Sequence, residues 1–236
     1  MAQGGFILIR KWFVAALALV AALGTAFAAQ SRGAWTLEGV LERMDKEAKG
    51  FHSLTADVER TKVTVVVNDI SSESGQIYVR GDKMRIDLTL PAPRTILRNG
   101  DEFYLYNPGL NRVEEFDVGK NRALVDQFLL LGFGTPGREL EKGYLVTLLG
   151  EETLDDKKVV LLELTPKSDK IRDQVAKIHL WLDESSWLPV QQKFFETGTQ
   201  DYFIIHYANV VRNAKIHEVH FKPHWPKGTQ KVHPQS

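Results

Sequence analysis

The 236-residue chain contains no cysteine. Disulfides cannot staple it, and thiolate metal sites and thiol catalysis are excluded. A packed core must supply its stability. The chain has no excess of either charge, with 30 basic residues against 30 acidic ones. Nothing in that balance asks for nucleic acid or an anionic membrane surface. There is no Gly-x-Ser-x-Gly, no phosphate-cradling glycine loop and no His-Glu-x-x-His. Glu114-Glu115 and Asp155-Asp156 are adjacent carboxylates, which do not converge on a strand or turn and read as solvated charges. Trp181, Trp187 and Trp225 are spaced for packing, not for base stacking. His217, His220 and His224 invite a metal reading. A strand over Ile216 to Phe221 would send 217 and 220 to opposite faces, which favours solvated or hydrogen-bonded histidines.

Long apolar runs are also missing beyond the N-terminus. Arg10 and Lys11 precede an uncharged run from Trp12 to Leu23. That run is about twelve residues, where a spanning helix needs roughly 20. Gly24 breaks it, and Ala26-Phe27-Ala28 fits the small-x-small cleavage rule. The expectation is a signal peptide over 1–28 and a mature chain over 29–236 that works outside the cytoplasm. No cysteine follows the apolar run, so a lipid-modified cysteine is excluded.

The mature chain is expected to be one domain of mostly antiparallel strands. Thr36 is a good N-cap, and Leu37, Val40, Leu41, Met44 and Ala48 recur at helical spacing up to Gly50. Thr55 to Val67 is Thr- and Val-rich, Asp69 to Gly75 reads as a polar turn, and Gln76 to Arg80 as a strand. From Lys83 to Leu90 the pattern alternates. Met84, Ile86, Leu88 and Leu90 share one face, with Arg85, Asp87 and Thr89 on the other. Asn99-Gly100 joins Thr95–Arg98 to Glu102–Tyr106 as a hairpin, and Arg112 to Val118 follows. Asn121 to Leu131 has helical spacing and leads into Gly132, Gly134 and Gly137. Further strands are expected at 144–150, 159–165, 177–183, 188–195, 202–210 and 216–221, with a frayed tail from Pro223. Val159-Val160-Leu161-Leu162 and Tyr202-Phe203-Ile204-Ile205 are apolar on both faces. A sheet with one wet face would alternate, so both faces of part of this sheet are covered.

Several stretches carry a resemblance. These are Phe51-His52-Ser53-Leu54-Thr55-Ala56-Asp57-Val58, then Ser74 to Arg80, a strand ending at Pro91, Asn99-Gly100-Asp101, and Phe103 to Pro108. The last is Phe221-Lys-Pro-His-Trp-Pro226-Lys-Gly228. In order and spacing the chain resembles the periplasmic outer-membrane lipoprotein carrier (LolA) family over most of its mature length. The resemblance implies a β-rich α+β fold, an open antiparallel half-barrel with helices forming a lid over a hydrophobic cavity. It implies a non-enzymatic, monomeric periplasmic carrier of lipoprotein acyl chains with no cofactor. Its partners would be an inner-membrane ABC-transporter complex as donor and an outer-membrane receptor as acceptor. Arg80 falls at the family's lid latch, a role that suits a fork of five donors. Met84 and Ile86 fall at cavity-mouth positions, with aliphatic side chains where the family has aromatic ones. Leu88, Tyr104, Tyr106, Leu124, Phe128 and Leu131 complete the implied cavity wall, and the three glycines would let the lid move. The rival readings are a carrier of another lipid or glycolipid on the same fold, a periplasmic sensor, and a hydrolase.

Overall fold

In the computed structural model, residues 35–119 and 131–234 are described. The proposed signal segment over 1–28, Leu124 and Phe128 lie outside these residues. The first element is helix α1, Leu37–Ala48, capped at Thr36, whose hydroxyl accepts from the Gly39 N–H at 3.1 Å. Glu38 in its first turn and Lys46 in its last suit the helix dipole. Six strands follow: β1 Ser53–Thr64, β2 Asp69–Arg80, β3 Lys83–Leu90, β4 Arg94–Asn99, β5 Glu102–Asn107 and β6 Arg112–Asp117. After helix α2, Gly137–Gly143, come β7 Tyr144–Leu154 and β8 Lys157–Pro166. A one-turn helix α3, Asp169–Arg172, precedes β9 Val175–Asp183, β10 Pro189–Glu196 and β11 Tyr202–Arg212, and β12 is Gln230–Val232.

The twelve strands form one open sheet in the order β12-β6-β5-β4-β3-β2-β1-β11-β10-β9-β8-β7. The chain enters at the centre and meanders out to β6. It then crosses to the far edge and meanders back until β11 pairs with β1. All pairings are antiparallel except β12 with β6. The edges β12 and β7 do not pair, so the sheet does not close.

Apolar residues gather on both faces, for different reasons. On the first face α1 contributes Val40, Leu41 and Met44, and α2 contributes Leu140. They pack on Leu162, Leu164, Ile178, Leu180 and Phe194 of β8 to β10. The same face continues through Leu54, Ala56, Val58, Ile77, Val79, Met84 and Leu88, under Phe133 and Leu188. On the second face Leu97, Tyr104, Tyr106 and Val113 pack under Trp225 from the C-terminal segment. The doubly apolar strand β8 is explained the same way, since Val159 and Leu161 join Trp181 and Val190 in a separate cluster.

Three sequence expectations are corrected. Asp69 to Gly75 is not a turn. It is the first half of β2, paired with β1 from Thr64↔Asp69 to Val58↔Gly75. The chain reverses instead at Val65–Val67, with Asn68 left-handed at φ 50°. Asp69 to Glu73 extend past the end of β3, so neither face of that stretch needs apolar residues. Ile216 to Phe221 is not a strand. Its last four residues, Glu218–Phe221, are a 3₁₀ turn in which Phe221 is completely buried. The tail is not frayed, because Trp225 packs on Tyr106 and Gln230–Val232 adds a parallel strand to β6.

Candidate functional site

The alternation of β3 decides which expected site residues meet. Met84, Ile86 and Leu88 pair with Val79, Ile77 and Gly75 of β2. They sit on the face that α1 and the 131–143 segment cover. Met84 and Leu88 are buried, and Ile86 is half-buried beside Ile96. Leu131 is on the same side, buried with α1 and α2. Tyr104 and Tyr106 are not. They pair with Leu97 and Thr95, which in turn pair with Arg85 and Asp87. Because side chains alternate along a strand, the two tyrosines point to the opposite face, under Trp225. The tyrosines therefore share no wall with Met84.

Arg80 ends β2 and its fork is engaged. One nitrogen donates to the Ile216 carbonyl at 2.8 Å, and the other pairs with the Glu218 carboxylate. The guanidinium lies 5.1 Å from the centre of the Phe221 ring. Lys83 pairs with the same carboxylate. Arg85 reaches the His220 carbonyl at 3.2 Å, and Tyr78 stacks on the His220 ring at 4.8 Å. These contacts hold residues 216–221 against β2 and β3 as a strap. The hydrogen bonds from Lys83, and then the positive field of Lys83 and Arg80, pull the Glu218 carboxyl below its ordinary range. The arginine thus clasps the C-terminal strap, through the Ile216 carbonyl and the Glu218 carboxylate.

Arg80 also borders a cleft of about 760 Å³. Phe51 and His52 lead into β1 on one side of it, and Gly81 and Asp82 turn from β2 to β3 beside Arg80. Leu131, Phe133, Leu140 and Tyr144 form the apolar wall, with Thr135 and Glu139 at the polar edge. The wall segment is anchored to the sheet. Buried Gln192 donates to the Leu131 carbonyl at 2.7 Å and accepts from the Tyr207 hydroxyl at 3.0 Å. Burial pushes the Tyr207 phenol far above its ordinary pKa, so it stays a donor. Phe133 packs edge-on against Tyr207 at 5.0 Å.

The glycines of this segment have a packing role. A Cβ at Gly134 would strike the Phe51 ring, and one at Gly137 the backbone of Leu41. Gly134 also has φ of +66°, a conformation open to glycine at little cost. Two residues were missed from sequence. Gln192 has no local signal, since its partners are 61 and 15 residues away. Arg98 is fully buried on the Met84 side, paired across from Met84, with its Nε donating to the Gly100 carbonyl at 3.2 Å. Its signal was legible: it shares the strand parity of Ile96 and so is a charge at an apolar position. Among the described residues no three His, Cys, Asp or Glu side chains converge to hold a metal ion.

These features define an open antiparallel sheet with an apolar face under short helices and a cleft at one end. A family model described as "-like: Uncharacterized protein" matches residues 90–220, more than half of the chain, and the chain belongs to that family. No curated protein matches it in sequence. Among solved structures, an uncharacterized conserved protein from Thermus thermophilus shares the fold. Its TM-score is 0.55 at 14% identity, over 84% of this chain and 98% of that one. The chain is more weakly similar to a LolA superfamily protein from Nitrosomonas europaea, with a TM-score of 0.42 at 16% identity over 80% and 99% of the two chains. A similar likeness holds to the Mycobacterium tuberculosis lipoprotein LppX, with a TM-score of 0.46 at 13% identity over 76% and 98%.

Proposed function

We propose that the protein is a non-enzymatic carrier that binds the acyl chains of a lipoprotein along the apolar face of its sheet. The observation that carries this reading is that, among the described residues, the apolar face continues past its helical cover. Buried Met84 and Leu88 lead to half-buried Ile86 and Ile96 on an open sheet, beside the cleft at Leu131 and Phe133. Acyl chains carry no polar groups, so they need apolar area and little directed chemistry. Each buried methylene is worth about 0.8 kcal/mol, so several long chains would be held too tightly to leave unaided. A cover that re-closes on the empty face supplies the opposing term. The sequence resemblance extends the reading to the periplasm, after removal of residues 1–28, with an inner-membrane transporter complex as donor and an outer-membrane receptor as acceptor.

The polar edge of the cleft, His52, Arg80, Asp82 and Glu139, favours cargo with a polar headgroup. That keeps a second reading open, a carrier or sensor of another lipid or glycolipid. Native mass spectrometry of the protein after co-expression with candidate lipoproteins, and separately after exposure to total lipid extract, tests both. Bound lipoprotein supports the first reading, and bound lipid alone supports the second. An empty protein in both arms rejects the carrier.

A further inference from the structure

At the far end of β1 from the cleft, the β1–β2 hairpin ends in an apolar tip. Val65, Val66 and Val67 form its 3₁₀ turn, and Ile70 follows on β2. Val66 is 88% exposed, Val67 69% and Ile70 64%. Turns favour Gly, Asn, Asp and Ser, so three consecutive valines at a solvent-exposed reversal are not explained by turn chemistry. They are not explained by the core either, because none of the three is buried.

The base of the tip is tied down by two backbone donors. The Val65 N–H donates to the Asp201 carboxylate at 2.8 Å, and the Asn68 N–H to the Val65 carbonyl at 3.2 Å. Below the valines lies a hydroxyl collar in which Thr61 and Ser72 are bonded at 3.0 Å. The charges around the tip include Lys62, paired with Glu196 at 3.1 Å, Lys193 on the Tyr202 ring, Asp69 and Asp201. They leave no positive excess.

We infer that this hairpin tip is a membrane-contact element that dips its valines into the interface of a lipid bilayer, without selecting anionic lipid. Size and shape choose this occupant. A stable protein interface takes roughly 20–30 residues a side, and four aliphatic side chains on an exposed turn fall far short of that. A bilayer accepts a small convex apolar tip, and exposed apolar clusters rimmed by polar residues mark such contacts. The missing positive charge means that attraction to anionic headgroups plays no part. The inference is independent of the cargo reading, since it concerns the other end of the hairpin and needs no bound ligand.

The cysteine-free chain makes the test site-specific. An environment-sensitive fluorophore is attached to Val66→Cys or Val67→Cys in the full chain, and to Lys49→Cys, an exposed site at the other end of β1, as control. On addition of phosphatidylcholine vesicles the tip labels should shift to the blue and be quenched by nitroxide-bearing lipid, and the Lys49→Cys label should not. Adding Ile70→Asp to the labelled tip variants should weaken partitioning about tenfold, the scale of one aliphatic side chain. The response should be unchanged by phosphatidylglycerol and by salt near 0.5 M, where surface electrostatics are screened. The inference is overturned if the tip labels do not respond, or if 49 and 66 respond alike. It is overturned too if the response needs phosphatidylglycerol at low salt, or if it follows protein concentration without vesicles, which would make the occupant a second copy.

Discussion

Arg80 shows how one side chain can serve two places. Its fork binds the Ile216 carbonyl and the Glu218 carboxylate, and the residue also lines the cleft. Replacing it by leucine, Arg80→Leu, removes both strap contacts. Proteolysis and amide exchange over 213–222 should then accelerate while the sheet stays folded. Glu218 adds a pH dependence. Its folded-state pKa is depressed by Lys83 and Arg80, so its contribution is present above the unfolded value near 4.3 and is lost as pH falls through the lower folded value. Protection of the 216–222 amides, taken relative to their intrinsic exchange rate at each pH, should therefore fall in acid, and Glu218→Gln should abolish that step. Beneath the strap Phe221 is fully buried, and Phe221→Ala should cost about 3–5 kcal/mol in denaturant unfolding.

At the scale of the element, β3 and β5 make opposite contributions although their apolar residues look alike in sequence. Ile86 faces the covered side, and Tyr106 faces Trp225 on the other. Ile86→Asp should reduce co-purified lipid at least about tenfold, since it puts a charge on the apolar path. Tyr106→Ala should leave lipid binding intact and lower the melting temperature. An equal loss of lipid in both variants would show that the faces do not divide in this way. The helical cover is also set by close approach. In Gly137→Ala the added methyl meets the Leu41 backbone, and such overpacking should destabilise by about 1–3 kcal/mol in urea titration.

Alternation in β3 and the cap at Thr36 were legible because they are local. Strand parity was legible too, and it would have separated Tyr104 from Ile86 only if the pairing of β3 with β4 and β4 with β5 had been followed residue by residue. The valine turn misled because β-branched residues normally signal a strand interior. The strand expected at Ile216–Phe221 failed for a related reason. Its apolar residues Ile216 and Phe221 are buried by tertiary contact with β2 and β3, not by a ladder.

Over the whole molecule, the sheet is two meanders joined at β1 and β11. That order places the cleft and the valine tip at opposite ends of the β1–β2 hairpin, roughly 40 Å apart at about 3.3 Å per residue. Trp225 of the C-terminal segment packs on the cluster of Tyr104, Tyr106 and Leu97. Removing residues 223–236 should therefore expose an apolar patch, raise binding of a hydrophobic dye and promote association. A truncated protein that binds no more dye than the intact chain would mean that the cover is dispensable.

The sequence by itself determined the strand-rich class, the apolar parity of β3, the capped first helix and the freedom from disulfides. Each of these follows from the period or type of neighbouring residues. Only the tertiary structure decided that Arg80 clasps the C-terminal strap, that the tyrosines lie across the sheet from Met84, and that Gln192 anchors Leu131. These facts depend on strand order and on partners 61 to 136 residues apart in the chain, and no local pattern encodes which distant backbone will arrive beside a given side chain.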